Sequence, residues 1–260
     1  MLPKSGDLKD PSNWRPIVIL PNLYKIFSRL LYHLLKMFLD PEQSDDQYGF
    51  QKDKRIEDVF CVLENVIGKS IEFQIPLWMV SIDMRKAFDR LEFSPLFDAL
   101  RSQHVPESYI ALLAALYSNQ SGIVNGSDSF EINRGVKQGD IISAMLFNAG
   151  LEMAFRRWKL RLQEHGILLA AHHERLTNLR YADDMMIFGK SPEELAQMTE
   201  WLIEELSDVG LHLNTAKTKV LTTSEDNADF LDVGGNLVDV ITGICASSSR
   251  DFPKIIISST

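Results

Sequence analysis

The chain has only two cysteines, Cys61 and Cys245, in 260 residues. That scarcity excludes a disulfide framework and a cysteine-built metal cluster, and it suits plain thiols in a reducing compartment. Long apolar runs are missing as well. The longest, 110–117 and 141–155, are short or broken by Asn148 and Glu152, whereas a bilayer demands about 20 consecutive apolar residues. The opening segment carries Lys4, Asp7, Lys9 and Asp10 with no apolar stretch behind them, so neither a secretory signal nor a membrane association is expected. Positive charge is also scarce. Against 36 Asp and Glu stand 27 Lys and Arg, a formal charge of -9, unlike the basic balance of most nucleic-acid coats.

The deficit is local. Between Glu193 and Asp239 eleven acids face only Lys217 and Lys219, which leaves 25 acids and 25 bases elsewhere. The chain before that stretch can still present a basic channel. The rest of the composition, 45% hydrophobic and 24% charged with 14 Gly and 10 Pro, is that of a globular protein. The length exceeds the roughly 100–200 residues of a usual domain, so one large domain or two closely packed subdomains are expected.

Periodicity supplies the elements. After a polar, turn-rich opening, apolar residues recur at three and four through 22–39, with Asn22 placed as N-cap, and again through 56–67. The run 76–82 (PLWMVSI) is apolar, β-branched at its end and stops at Asp83, as a buried strand does. Helices are expected at 95–101 and 106–117, then a hairpin turning at Asn125-Gly126. A long helix should start after Asp140 and run to about Leu162. Short β runs at 176–181 and 185–188 flank Ala182-Asp183-Asp184. Ser191 and Pro192 then open a helix that Gly210 closes, and strands are expected at 217–222 and 230–240. The pattern predicts an α+β fold, an antiparallel sheet backed by helices.

The sharpest local feature is Tyr181-Ala182-Asp183-Asp184, adjacent carboxylates at a tight connection between apolar strands. Alone, an Asp pair is an ordinary turn, because Asp tolerates turn geometry. Asp83, ending another apolar strand, changes its weight. Carboxylates crowded at strand ends repel unless a cation neutralises them, and hard divalent ions take oxygen ligands. Two such ions about 3.5–4 Å apart clamp the attacking and leaving oxygens of a phosphoryl displacement. Asp83, Asp183 and Asp184 are therefore candidate magnesium ligands. His172 and His173 lie beside Glu174 without further ligands near in sequence, and all the histidines read as structural or solvent-facing.

In order, PKSGDLKDPSNWRPI, QYGFQKDKR, VSIDMRKAFDRL, RGVKQGD, YADD and GLHLNTAKTKVL resemble the successive motifs of reverse transcriptases, most closely those of non-LTR (LINE-type) retrotransposons. The resemblance covers about Pro3 to Leu221, and DFLDVGGNLVDVI is similar to the segment that follows. It implies a right-hand polymerase: fingers at 1–75, the first acidic palm motif at 76–91, a fingers/palm connection at 92–137, palm at 138–240 and an off-pattern tail at 241–260, with no thumb pattern recognisable. Asp83, the backbone carbonyl of Met84, Asp183 and Asp184 are then the metal site, for two Mg2+ ions with Mn2+ as the substitute. Asp83, Asp183 and Asp184 are the catalytic acids.

The same resemblance makes Phe88 a steric gate under the sugar, with Asp89 as a helix cap or salt-bridge partner. Lys4 and Arg15 become grips on the triphosphate, since a guanidinium fork suits phosphate oxygens and an ammonium acts as a point charge. Gln138 and Gly139 become the contact with nucleotide and template, and Lys217, rather than Lys219, the general acid for pyrophosphate. Gln51-Lys52 stands where arginine is common in the family, leaving Lys54 and Arg55 to line the template path. Ile141-Ile142-Ser143-Ala144 replaces the family's usual Pro-Leu-Ser-Pro. The implied activity is RNA-directed DNA polymerisation with an RNA template, a DNA primer and dNTPs as partners, intracellular and in the nucleus. No oligomeric state follows. The alternative is an inactive, truncated retroelement remnant or a nucleic-acid-binding module that keeps the palm fold.

Overall fold

The computed structural model describes residues 2–3, 9, 14–15, 17–123, 128–169, 175–224, 230–242 and 244. Lys4, the Asn125-Gly126 turn, His172, His173, Cys245 and most of the 241–260 tail lie outside the described residues, and of Arg15 only the backbone is described. In chain order the elements are β1 (Leu2–Pro3), β2 (Trp14–Arg15), α1 (Asn22–Leu39), α2 (Ile56–Glu72), β3 (Trp78–Ile82), α3 (Ala87–Arg90), α4 (Phe93–Ser102), α5 (Glu107–Tyr117), β4 (Gln120–Gly122) and β5 (Phe130–Ile132). There follow α6 (Ile141–Leu162), β6 (Ile167–Leu168), β7 (Arg175–Leu176), β8 (Asn178–Tyr181), β9 (Asp184–Gly189), α7 (Pro192–Asp208), β10 (Lys219–Thr222), β11 (Phe230–Val233) and β12 (Asn236–Ile241). The α+β expectation holds. Among the described residues no helix is long and apolar enough to cross a membrane.

The chain divides by packing into two compact units, Met1–Gln43 with Lys86–Glu152, and Ser44–Arg85 with Met153–Thr260. Residues 44–75, grouped with the fingers by motif, thus pack with β3 and the later strands.

The second unit is built on a six-stranded sheet in the order β11-β12-β10-β3-β9-β8. Its centre is antiparallel: Val80 pairs with Ile187 and with Val220. One pairing departs from expectation, since β10 and β12 run parallel. The single strand expected at 230–240 is a hairpin, because Gly234-Gly235 reverse it. On one face Met79, Phe188, Met186 and Leu221 pack with Val59, Leu63 and Ile67 of α2. Along β9 the alternate positions point the other way, and there α7 packs closely enough to bring Leu195 against Gly189. Coverage on both faces explains why β3 and β9 are buried at every position rather than alternating. α7 begins as expected, with the Ser191 hydroxyl accepting from Glu194 N–H at 3.2 Å.

In the first unit α1 has the expected span, but Asn22 is its first residue and Pro21 the N-cap, with no side-chain cap bond. Its apolar stripe is shared between two directions: Leu31, Leu35 and Leu39 are buried, while Leu23, Ile26, Leu30 and Met37 are exposed. Also buried in this unit are Leu96 and Leu100 of α4, Ile110 and Leu113 of α5, and Leu146 and Phe147 of α6. Asp140 stands just before α6 as expected, but its carboxylate is held mainly by Tyr24, whose hydroxyl donates at 2.9 Å, and by Ser28, with only a long 3.5 Å contact to Ile142 N–H. Burial, then the Asp140 charge, pushes the Tyr24 phenol far above its ordinary range. Lys137 donates to Tyr24 at 2.9 Å and lies over the Tyr24 and Tyr117 rings. Burial lowers its pKa.

Candidate active site

The acidic residues lie in the second unit, and strand register positions them. Ile82 pairs with Met185, and Tyr181 with Asp184. Continued by one residue, the β3–β9 register sets Asp83 opposite Asp184, on the sheet face shared by Met79 and Ser81. Asp183 and Ala182 form the connection between β8 and β9. Ala182 has φ 59°. Asp183 does not share the positive φ, and positive φ at the first central residue alone is the sign of a type II′ hairpin turn, normally a glycine position.

Asp83 is held from the chain before β10. Its carbonyl accepts from Asn214 N–H and its Oδ2 from Asn214 Nδ2, both at 2.8 Å. Lys217 Nζ lies 3.8 Å from Asp83 Oδ1. Next along, Met84 bridges Leu213 as a non-hydrogen-bonded antiparallel pair. The flanking bonds come from Asn214 N–H to Asp83 and from Arg85 N–H to the His212 carbonyl. The Met84 carbonyl therefore points away from that neighbour. Lys219 is paired instead with Asp239, at 2.5 Å.

The donor set fits a hard cation: carboxylate and carbonyl oxygens at neighbouring strand ends. Among the described residues, however, no three His, Cys, Asp or Glu side chains are gathered closely enough to hold a metal ion. Register brings the backbone positions of Asp83 and Asp184 side by side, and Asp83 turns its carboxylate to Asn214 and Lys217.

The other predicted residues lie in the first unit. Phe88 stacks on Phe147, with ring centroids 4.6 Å apart and planes 14° from parallel. Its carbonyl accepts from Val136 N–H at 2.7 Å, which ties the ring's backbone to the Arg134–Asp140 loop. Gln138 Nε2 donates to Asp89 Oδ1 at 2.9 Å, a role for Asp89 that its sequence position did not suggest. The Gln138 carbonyl accepts from Val18 N–H at 3.0 Å. Gly139 has φ 106°, a backbone conformation that favours glycine, and a Cβ there would lie 3.3 Å from the Val18 carbonyl oxygen, a tight contact. The backbone of Arg15 pairs with Leu2.

Two residues escaped the sequence reading. Asn214 opens the lysine-bearing motif, and its membership of that motif was the only signal available, since Asp83 lies 131 residues away. Gln47, ahead of Tyr48-Gly49-Phe50, is fully buried, and its Oε1 accepts from Ala182 N–H at 3.0 Å. Lys54, assigned above to the template path, donates to the Asp45 carbonyl at 2.7 Å and the Gln47 carbonyl at 3.2 Å.

An acid-tipped hairpin beside a strand-end aspartate, at the antiparallel centre of a sheet covered by helices, is the build of a palm-type nucleotidyl transferase. The sequence profile of the family described as reverse transcriptase (RNA-dependent DNA polymerase) matches residues 2–234, and the chain belongs to that family. It is a reverse transcriptase domain, and its relatives are of the non-LTR kind that the motifs resemble.

One relative is the retrovirus-related Pol polyprotein from a type-1 retrotransposable element R2 of Popillia japonica, 31% identical over 84% of this chain and 31% of that protein. Another is the transposon TX1 uncharacterized 149 kDa protein of Xenopus laevis, 26% identical over 89% of this chain and 18% of that protein. The chain thus spans less than a third of the length of these relatives. Among solved structures, a telomerase of Candida albicans in complex with a TWJ fragment of telomeric RNA has a TM-score of 0.55 at 14% identity, over 81% of this chain and 36% of that one. That likeness concerns the fold alone. The family generally uses divalent metal ions.

Proposed function

We propose that this domain performs RNA-templated DNA synthesis, adding a deoxynucleotide to a primer 3′-hydroxyl. The observation that carries the reading is the Ile82–Met185 pairing, which puts Asp83 and Asp184 next to paired residues of neighbouring strands, with Asp183 in the β8–β9 turn, in a chain of this family. Asp83, Asp183, Asp184 and the Met84 carbonyl are the groups that would hold two Mg2+ ions, or Mn2+ in their place. Such ions would lower the pKa of the attacking hydroxyl and neutralise charge on the phosphates.

In the transfer, the primer oxygen bonds to the α-phosphorus as its proton leaves to solvent or base. The bond from that phosphorus to the pyrophosphate oxygen breaks, and pyrophosphate takes a proton from an acid. Lys217 is that acid. It is exposed, so water can recharge it, and it lies beside Asp83, while Lys219 is engaged by Asp239. Asn214 orients Asp83. Phe88, pinned by Phe147, presents a ring to the sugar, Gln138 and Gly139 face the base pair, and Lys4 and Arg15 grip the triphosphate. RNA template and DNA primer are the partners, and the nucleus is the site of work. The motif division into fingers, palm and connection belongs to this reading.

The test is primer extension on an RNA template with Mg2+ and dNTPs. Asp83→Ala and Asp183→Ala should each lower the rate by about 10³-fold or more, given the several kcal/mol of charge stabilisation at stake. Asp184→Ala should fall less. Undiminished extension by the Asp83 or Asp183 variant refutes the assignment. A parent chain that binds primer–template without extending it supports the nucleic-acid-binding module instead.

A further inference from the structure

Residues 46–49 form an added edge to β8 in the second unit. Arg180 N–H donates to the Asp46 carbonyl and Tyr48 N–H to the Arg180 carbonyl, both at 2.8 Å, with Gln47 bridged in parallel to Arg180. The Gln47 carboxamide then reaches past the end of the ladder. Its Oε1 accepts from Ala182 N–H at 3.0 Å and Gly49 N–H at 2.8 Å, and its Nε2 donates to the Ala182 carbonyl at 3.4 Å. One buried amide thus engages both backbone groups of Ala182. That residue has the left-handed φ, which a side chain other than glycine's adopts only at a cost.

The approach is close and anchored. A Cβ on Gly49 would sit 2.1 Å from Ala182 N, so only glycine lets the segment come so near. Asp46 fastens the segment through Arg180, with 3.1 Å to Nε and 2.5 Å to Nη2, and through Lys159. Lys54 fastens it from the other side through the Asp45 and Gln47 carbonyls. Satisfying buried backbone groups would explain any one of these bonds. It does not explain why the amide meets the strained residue that immediately precedes Asp183.

We propose that Gln47 is a positioning residue for the aspartate pair: its carboxamide holds Ala182 in the left-handed conformation and so sets the direction in which Asp183 and Asp184 project. The proposal rests on the metal-binding role given to those aspartates above. It predicts that Gln47 governs metal affinity and turnover while leaving nucleotide affinity almost untouched.

Gln47→Met removes the amide at nearly constant volume, and Gln47→Glu keeps an acceptor for the two N–H groups. Ala182→Gly accepts a positive φ without help. Hydrogen–deuterium exchange on the full chain reads the clamp whether or not the chain extends primers. With Gln47→Met, exchange at 181–184 should rise about tenfold or more, as expected for lost buried hydrogen bonds, while β3 and α7 keep their protection. In extension assays, Gln47→Met should raise the half-saturating Mg2+ concentration about tenfold and lower kcat, with the dNTP KM changed less than about threefold. Gln47→Glu should fall between Gln47→Met and parent. Ala182→Gly placed in the Gln47→Met chain should return the Mg2+ requirement toward the parent value. Unchanged exchange at 181–184 overturns the proposal, as does faster exchange with an unchanged Mg2+ requirement. Should the parent fail to extend primers while exchange responds as stated, the clamp stands and the polymerase reading is what fails.

Discussion

Phe88 shows how far a single residue can be read from its neighbours in sequence. Its place five positions after Asp83 marked it as a gate by resemblance, but nothing local revealed Phe147, which comes from α6 and stacks on it. A free ring would yield to a 2′-hydroxyl; one packed face to face resists. If it works as proposed, Phe88→Ala should reduce the preference for dNTP over rNTP, measured as the ratio of kcat/KM values, by about tenfold or more, the scale on which one pocket contact discriminates. An unchanged ratio removes the gate role. Asp89 and Gln138 teach the same lesson: each was marked by its motif, and their mutual 2.9 Å bond was not.

At the scale of elements, Asp46 ties the segment before Tyr48 to the sheet. Arg180 is fully buried, its guanidinium lies 4.1 Å from the centre of the Phe155 ring, and Asp46 supplies the opposing charge together with a contact to Lys159. Burial works to raise the Asp46 pKa, but Arg180 and Lys159 outweigh it and hold the carboxyl below its ordinary 3.8. The sign follows: a depressed carboxyl pKa contributes stability that is complete above the unfolded-state value and lost as pH falls through the folded one. Asp46→Ala should destabilise the chain by about 3 kcal/mol at neutral pH, because a buried cation loses its partner. In urea titrations the gap between variant and parent should begin to close below pH 3.8. A gap that stays constant down to acid pH contradicts this.

For the molecule as a whole, the deciding quantity in the second unit is apolar burial on both faces of one sheet. Phe188 is fully buried on β9 and belongs to the cluster that α2 covers. Phe188→Ala should lower stability by about 3–5 kcal/mol, read as a lower urea midpoint with an unchanged slope. A loss below about 1 kcal/mol would mean the core collapses around the gap. Charge acts differently at this scale. The acids between Glu193 and Asp239 include those of α7, whose buried positions Leu195, Met198, Leu202 and Leu206 still face the sheet, so the net charge of -9 left the fold class unaffected.

Periodicity foretold the spans of α1, β3, α6 and α7 because each rests on local rules: apolar spacing, a breaker or cap, and a strand that stops at a charge. The family was legible in the ordered motifs for the same reason, since each is a contiguous string. What the string does not contain is partnership. That Asn22 is not the cap, that β10 lies parallel to β12, that Asn214 orients Asp83 and that Gln47 grips Ala182 from 135 residues away all depend on which segments become neighbours. Such contacts form only once burial has joined distant strands and helices, and there a hydrogen bond is held strongly because its groups have no water to turn to.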